Sequence, residues 1–433
     1  MNLKQLQKKY NLIAIELYTQ KISEYKISFT ANSLKQTELI HRAGKAIRLL
    51  NNKQIGFVAN YGDSDLEEAV LNAIELSKYS SSIEVDFPTN KQQESNLNSN
   101  LNQINPNDLF SSIKSKCTQI IETILNTASQ ALVDVSFDVS NHYESIENTN
   151  ELFYSHLNNV YSLSINLRET NENDFIEIFT CIVDKNCPDY SPYIHEVIEY
   201  YKLCKKQAKI KTGSYPILFT SKAAKELLNI IELALNGKQV NEKSSPWHDK
   251  TGKKVLSNNI TIVQDPTFGY MARELDDEGY KTQPLSLIRN GVLENFYWDL
   301  LSSIKTHDIH KSTGNGFKPS LTSQPEPTLL NMIVAPGSKS LNEIIKNIKY
   351  GLLIDQTMGG LTSNISGDIS LNVDIGFLIE NGELIGRVKD TMVSGNIYTA
   401  LNNVIELSNE SKFYWSNTYN PDMLLDSFMI TTK

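Results

Sequence analysis

The sequence predicts an α+β protein of two domains. An N-terminal α/β lobe spans 1–210, and a C-terminal domain over 211–433 is mainly antiparallel β with a few helices. Three observations carry this. Asn290-Gly291 lies between LSLIR and VLENFYW, and Asn381-Gly382 between IGFLIE and ELIGRV. Asn-Gly supplies the positive φ angles of a type I′ hairpin turn. Before Lys211 the chain instead alternates capped helical stretches with runs of strand period.

The first lobe opens with a helix, followed by strands over Leu12 to Tyr18 and Tyr25 to Thr30. Ser64 with Glu67 forms a capping box ahead of Leu66, Ala69, Val70, Ala73 and Ile74, an amphipathic helix. Residues Phe87 to Leu109 are polar, Asn/Gln/Ser-rich and Pro-flanked, a surface connection. A helix over Phe110 to Ala131 precedes strands at Val133 to Val139 and Ser162 to Leu167. This helix–strand–strand order echoes the opening and suggests an internal duplication. A helix over Ile194 to Ile210 ends the lobe. In the second domain, Ser340 and Glu343 cap a helix carrying Leu341, Ile344, Ile345 and Ile348 and closed by Gly351.

Bulk properties exclude several functions. With 433 residues, 40% hydrophobic and 9% aromatic, the chain can bury two cores. A net charge of −9 offers no clustered basic excess, so nucleic acid is not an expected partner. The start MNLKQLQKKYNL has no signal-peptide core, and no apolar run nears the roughly 20 residues of a membrane span. No membrane association and a cytoplasmic location are expected. Cys117, Cys181, Cys187 and Cys204 form no C-x-x-C pair and are expected as reduced thiols, with a Cys181–Cys187 bridge as the alternative.

The most informative stretch is Thr212 to Pro266. An apolar strand, Ile217 to Phe219, runs into a helix, then a loop with Ser244-Ser245, then a strand ending at Asp265-Pro266. Ser221 is the expected N-cap and Gly237 the expected C′ residue. Between them Ala223, Ala224, Leu227, Leu228, Ile230, Ile231, Leu233, Ala234 and Leu235 cover most of the circumference, as in a core helix. This order and punctuation resemble the TldD/PmbA family, whose TldD-like branch carries a zinc motif H-E-x-x-x-H on this helix. Counting back from Ser244-Ser245, the resemblance places the motif on Leu228, Asn229 and Leu233. Leucine has no lone pair for zinc, and a neutral amide is no carboxylate base. The catalytic branch is also expected to take a cysteine ligand near the C-terminus, and none follows Cys204. The chain thus resembles the metal-less PmbA, or TldE-like, branch.

Other candidates are weaker. His195-Glu196 lacks a second histidine one turn on, and His307 with His310 lacks a third ligand. No G-x-S-x-G elbow or phosphate loop occurs. Asp276-Asp277-Glu278-Gly279 matches a D-D-E-G segment of the family. It is either a solvated turn before a strand or part of a peptide cleft or partner interface. Ser312 to Gly316, Gly359-Gly360 and Ser366 to Asp368 are also family-like. They are either tight backbone turns or the side-chain-free border of a peptide groove.

The resemblance implies a cytoplasmic heterodimer with no cofactor in this chain and zinc in a TldD-like partner. Implied substrates are unfolded peptides, including antitoxin-like proteins and precursors of modified peptide antibiotics; the family label "modulator of DNA gyrase" stems from such peptides. The alternatives are a free-standing homodimeric binding or regulatory protein, and a peptidase with its site around Asp276 to Glu278 and His307 or His310.

Overall fold

Two sheets organise the chain. The computed structural model describes residues 1–89, 93–94, 106–171, 174–305, 312–358, 365–414, 416–426 and 428–433. The first sheet contains β1 (Ala14–Thr30), β2 (Ser33–Asn51), β3 (Gln54–Tyr61), β4 (Gln93–Glu94), β5 (Leu132–Asn148), β6 (Phe153–Asn171) and β7 (Asp174–Asp184). Their order is β3-β2-β1-β5-β6-β7, antiparallel throughout, with β4 running parallel to β6. The helices are α1 (Leu3–Tyr10), α2 (Leu66–Ser77), α3 (Pro106–Leu125) and α4 (Ser191–Cys204). The succession α1-β1-β2-β3-α2 is thus followed by α3-β5-β6-β7-α4, joined where β1 pairs with β5. The repeated order accords with the suggested duplication.

The two strands expected within Leu12 to Thr30 are one. The polar stretch Thr19–Glu24 stays in the ladder because its backbone pairs with β2 on one side and β5 on the other. Alternation then sorts the side chains. Ile15, Leu17, Ile47 and Leu49 pack on α1 and α2. Ile27, Phe29, Val133, Val135 and Phe137 pack with Ile113, Ile120 and Ile124 of α3. Glu16, Tyr18, Ala46 and Arg48, which alternate with the first set, take the opposite face.

The second sheet is thirteen-stranded. Its pairs are antiparallel except Ile217–Phe219 with Tyr350–Met358 and Met332–Val334 with Thr418–Leu425, which are parallel. Helix α5 (Ser221–Leu235) covers one face, where Ile217, Phe219, Leu352 and Ile354 join its core. Leu218, Leu353 and Phe377 point the other way, into a core shared with α3 and α4. The sheet is buried on both faces here, which explains the unbroken apolar run ILF. Both Asn-Gly hairpins form, with φ of 48° and 78° at Asn290 and Gly291 and 51° and 83° at Asn381 and Gly382.

Several boundaries differ from expectation for local reasons. Helix α2 is capped by Asp65, whose carboxylate accepts from the N–H of Glu67 and Glu68; one residue beyond Ser64, it reaches both amides. Helix α4 stops at Cys204 because the chain then pairs with the second sheet, Ala208 N–H donating to Arg387 O. The Ser340–Glu343 capping box forms, but that helix ends at Lys346 and Gly351 lies in a strand. Helix α5 is capped by Thr220, not Ser221, and Gly237 opens a short second helix, Gly237–Asn241. Gly237 is required by packing, since a Cβ there would lie 2.2 Å from the Trp298 ring. All four thiols are free, Cys181 buried and Cys187 exposed. No helix among the described residues is long and apolar enough to cross a membrane. We predict that Gly237→Ala lowers the unfolding free energy by about 1–3 kcal/mol through overpacking; urea denaturation measures this, and an unchanged midpoint would refute the packing account.

Candidate functional site

Two places gather the chemistry that the sequence singled out. The first is α5. Its buried side carries Ala223, Ala224, Leu227, Leu228, Ile230, Ile231, Ala234 and Leu235, while Lys222, Lys225, Glu226, Asn229, Glu232 and Leu233 form a half-buried stripe. The helix is therefore open along one side rather than apolar all round. Leu228 is fully enclosed in the core, whereas Asn229 and Leu233 lie on the stripe. Five residues turn a helix by 500°, so Leu228 and Leu233 stand about 140° apart. Glu232 accepts from Asn417 Nδ2 at 3.2 Å, and burial pushes its carboxyl above the usual range. The first turns of α5 wall a cavity of about 390 Å³ with Cys181, Lys222, Glu226, Asp355 and Tyr414. There Lys222 pairs with Asp355 at 2.5 Å, and burial raises the Asp355 pKa to about 6.

The second place is the acidic turn, which is not solvated. Asp276 and Glu278 are 0% exposed and Asp277 4%, enclosed between the two lobes. Arg48 donates through Nε and Nη2 to both oxygens of Glu16, at 2.9 and 3.0 Å, and through Nη1 to Glu278 at 2.8 Å. The other Glu278 oxygen accepts from Leu300 N–H at 2.7 Å. Asp276 accepts from the N–H groups of Glu278, Tyr280 and Gly316 at 3.0, 2.8 and 2.9 Å. Burial and the neighbouring Glu278 push the Asp276 carboxyl up, against the pull of those donors. Asp277 pairs with Arg273 Nη2 at 2.9 Å, and Arg273 Nη1 reaches Glu144 of β5, also at 2.9 Å. Gly279 has φ of 83°, and its missing Cβ leaves room for Leu152.

The remaining candidates are placed apart from these. His195 is exposed on α4, whereas Glu196 points inward to Thr180, Lys412 and Tyr414. Gly314 and Gly316 pack directly on the acidic turn and its neighbours, joining two stretches that lie 32 residues or more apart in sequence. Ser366 to Asp368 ties to Asn396, the cap of a short helix at Ile397–Asn402. Gly359, Gly360, His307 and His310 fall outside the described residues. Sequence reasoning missed Glu16, Arg48, Glu144, Arg273 and Lys318. For Glu16, Arg48 and Glu144 the local signal is a charge within a run of strand period, as Glu16 is between Ile15 and Leu17; Arg273 and Lys318 lie outside the strands and carry no such signal.

Comparison with known proteins agrees with this architecture. Residues 212–432 match the model of the PmbA/TldA metallopeptidase C-terminal domain, which is more than half of the chain. The chain belongs to the PmbA/TldD metallopeptidase family. A metalloprotease TldD homolog of Buchnera aphidicola from Schizaphis graminum is 25% identical over 404 residues, 85% of this chain and 80% of that protein. A metalloprotease PmbA homolog of Haemophilus influenzae is 23% identical over 96% of this chain and 92% of its own length. The TldD homolog of Buchnera from Acyrthosiphon pisum is 31% identical, but the match spans 43% of this chain and 38% of that protein. Among solved structures, TldE from Thermococcus kodakarensis superposes with a TM-score of 0.90 at 22% identity, covering 99% of this chain and 98% of its own. A Thermotoga maritima structure described as a modulator of DNA gyrase gives 0.86 at 20% identity, covering 99% and 98%. These structures share the fold.

The family name implies a metal, but the donors at the motif positions do not fit one. Leu228 and Leu233 offer no lone pair and Asn229 no charge. Among the described residues, no group of three or more His, Cys, Asp or Glu side chains is arranged to hold an ion.

Two predictions follow from the buried turn. Arg48→Met leaves Glu16 and Glu278 enclosed without a counter-ion and should cost about 3–5 kcal/mol in urea unfolding; a cost below about 1 kcal/mol would remove Arg48 from its role between the lobes. Asp299, which caps the helix Leu300–Ile304, has its pKa raised to about 6 by burial and by Glu278. An unfolded aspartate titrates near 3.9, so the folded chain holds this proton more tightly. Its contribution is full below about pH 4 and is lost as pH rises through 6, on the order of 2–3 kcal/mol. Asp299→Asn should flatten that limb of the stability–pH curve, and an unaltered limb would refute the assignment.

Proposed function

We propose that this chain is a non-catalytic, PmbA/TldE-like subunit of a cytoplasmic zinc metallopeptidase that processes unfolded peptides, with a TldD-like chain as its partner. One observation carries the reading: on the helix where the resemblance puts the zinc motif, Leu228, Asn229 and Leu233 stand in its place. The absence of any cysteine after Cys204 removes the further ligand that the resemblance implies. The partner's zinc would polarise the scissile carbonyl and activate a water. This chain contributes no group to that step. Its part is to enclose the substrate and to hold the partner in its active form. The proposed division at 210/211 makes the first lobe a scaffold and assigns the second the surfaces nearest the α5 stripe. Asp276, Glu278 and Gly279 hold the two lobes together, and Asp277 stands at the wall of a cavity between them. Gly359 and Gly360 remain candidates for the peptide border.

Elemental analysis tests the proposal on the chain alone and after co-expression with a TldD-like chain from the same genome. We expect no stoichiometric zinc in the isolated chain and about one ion per pair in a co-purifying complex that alone cleaves an unfolded peptide. One zinc per isolated chain, or cleavage by it unaided, would overturn the reading; a stable homodimer that ignores the TldD-like chain would replace it with a free-standing binding protein.

A further inference from the structure

A second cavity, of about 330 Å³, lies between the lobes. Its first wall includes His142 of β5 and His156 and Asn158 of β6; its second includes Tyr270, Phe317 and Lys318. Glu144, Arg273 and Asp277 also border it and are tied to one another through ion pairs, although Asp277 Oδ1 accepts no hydrogen bond. Arg273 spends its edges on Glu144, Asp277 and the Leu275 carbonyl, and Asp277 further accepts Lys318 N–H at 2.8 Å. Glu144 also accepts from Gln20 at 3.2 Å.

Two further groups on the walls, Lys318 and His156, are incompletely matched. Lys318 Nζ donates to Ser323 O at 3.2 Å and lies over the rings of Phe57 and Tyr18, 4.5 and 5.3 Å from their centroids. No carboxylate among the described residues lies within ion-pair distance of it. This half-buried ammonium has no carboxylate in contact, although Glu16, Asp277 and Glu278 act on it at longer range. Its pKa is lowered to about 8, first by burial and then by Arg48. His156 is 3% exposed, and its Nδ1 has no hydrogen-bond partner. Burial lowers the pKa of both imidazoles, that of His156 to about 4, so each ring is neutral and carries one N–H. Arg273 is committed to the Glu144 and Asp277 carboxylates, which leaves Lys318 as the cation of the lining without an ion pair. Tyr270 and Phe317, with Met271 and Val160, supply an apolar surface beside these donors.

We infer that the cavity between the lobes binds an α-carboxylate bearing an apolar side chain, with Lys318 as its counter-ion and the imidazoles of His142 and His156 beside it. The volume suits one terminal residue rather than a length of chain. Two sources present this chemistry, the C-terminal residue of a peptide and a free apolar amino acid. The peptide source rests on the proposed function, since peptide cleavage creates new C-terminal carboxylates; the site itself does not.

Isothermal titration calorimetry on the full isolated chain tests this without any partner or zinc, so its outcome is independent of the subunit reading. The probes are N-acetyl-alanyl-phenylalanine as free acid, the same dipeptide as C-terminal amide, and free phenylalanine. We expect the free acid to bind at least tenfold more tightly than the amide, and Lys318→Met to abolish that difference. Binding of the acid dipeptide alone identifies a peptide end as the ligand; equal binding of phenylalanine identifies the amino acid. Lys318→Met should melt at or above the wild-type temperature, because it removes a half-buried charge that has no ion pair and keeps the apolar stem. Should it fail to fold, Val160→Glu, which puts the chain's own carboxylate at the wall, must abolish binding while leaving melting unchanged. Equal affinity for acid and amide, no binding of either, or undiminished binding by the variants would overturn the inference.

Discussion

Arg48, enclosed between Glu16 of the first lobe and Glu278 of the second, is the constraint on which the rest of the structure depends. Two more buried guanidiniums cross the same junction in the opposite sense. Arg273 reaches Glu144, and Arg387 donates to Phe175 O at 2.9 Å and pairs with Asp174. Ion pairs of this kind add little net stability, because desolvation consumes most of the Coulombic gain. Their effect is on selectivity. Any other docking of the lobes strands at least one buried charge, so the junction admits one arrangement. The apolar core that α3 and α4 share with the second sheet supplies the adhesion. The arginines fix its register.

The elements of the fold were legible where their signals are local. The two Asn-Gly hairpins need positive φ angles at specified positions, and the Ser340 capping box needs only four consecutive residues. Ends were less legible, because tertiary partners decide them. Helix α4 yields to a bridge with Arg387, 183 residues away from Cys204, and β1 keeps its polar middle because two neighbours pair with it. The acidic turn divides in the same way. Its composition is that of a solvated loop, and nothing within ten residues announces Arg48 or Gly316. Only the register of β1 against β2, which sets Glu16 opposite Arg48, brings the neutralising charge to that face.

Helix α5 divides between the core and an open stripe. Leu228 adds to the core, and Asn229 and Leu233 occupy the half-open stripe beside Lys225 and Glu232. None of the three side chains at 228, 229 and 233 is a thiolate, imidazole or carboxylate, and leucine at 228 and 233 is a good helix former. The capping of α5 is elaborate. Thr220 accepts from Ala223 N–H and donates to Asp355, and Ser221 N–H is taken by Asp422 at 2.7 Å. Two buried carboxylates thus hold its first turn in place. That rigidity serves the apolar core that the buried side of α5 completes.

The junction and the cavity beside it are not independent. Arg273 closes the lobes by joining Glu144 to Asp277, and the same three side chains form part of the cavity wall. Parting the lobes would break that chain of contacts, expose Lys318 to water and dissolve the pocket. Anything that binds in the cavity therefore binds the docked arrangement alone and stabilises it by mass action. The coupling runs both ways: a substitution that loosens Arg48 or Arg273 weakens binding without touching the ligand, by the fraction of molecules whose lobes are parted. A half-buried lysine without an ion pair at such a place is a stability cost that the three arginines can offset, because they hold the walls together.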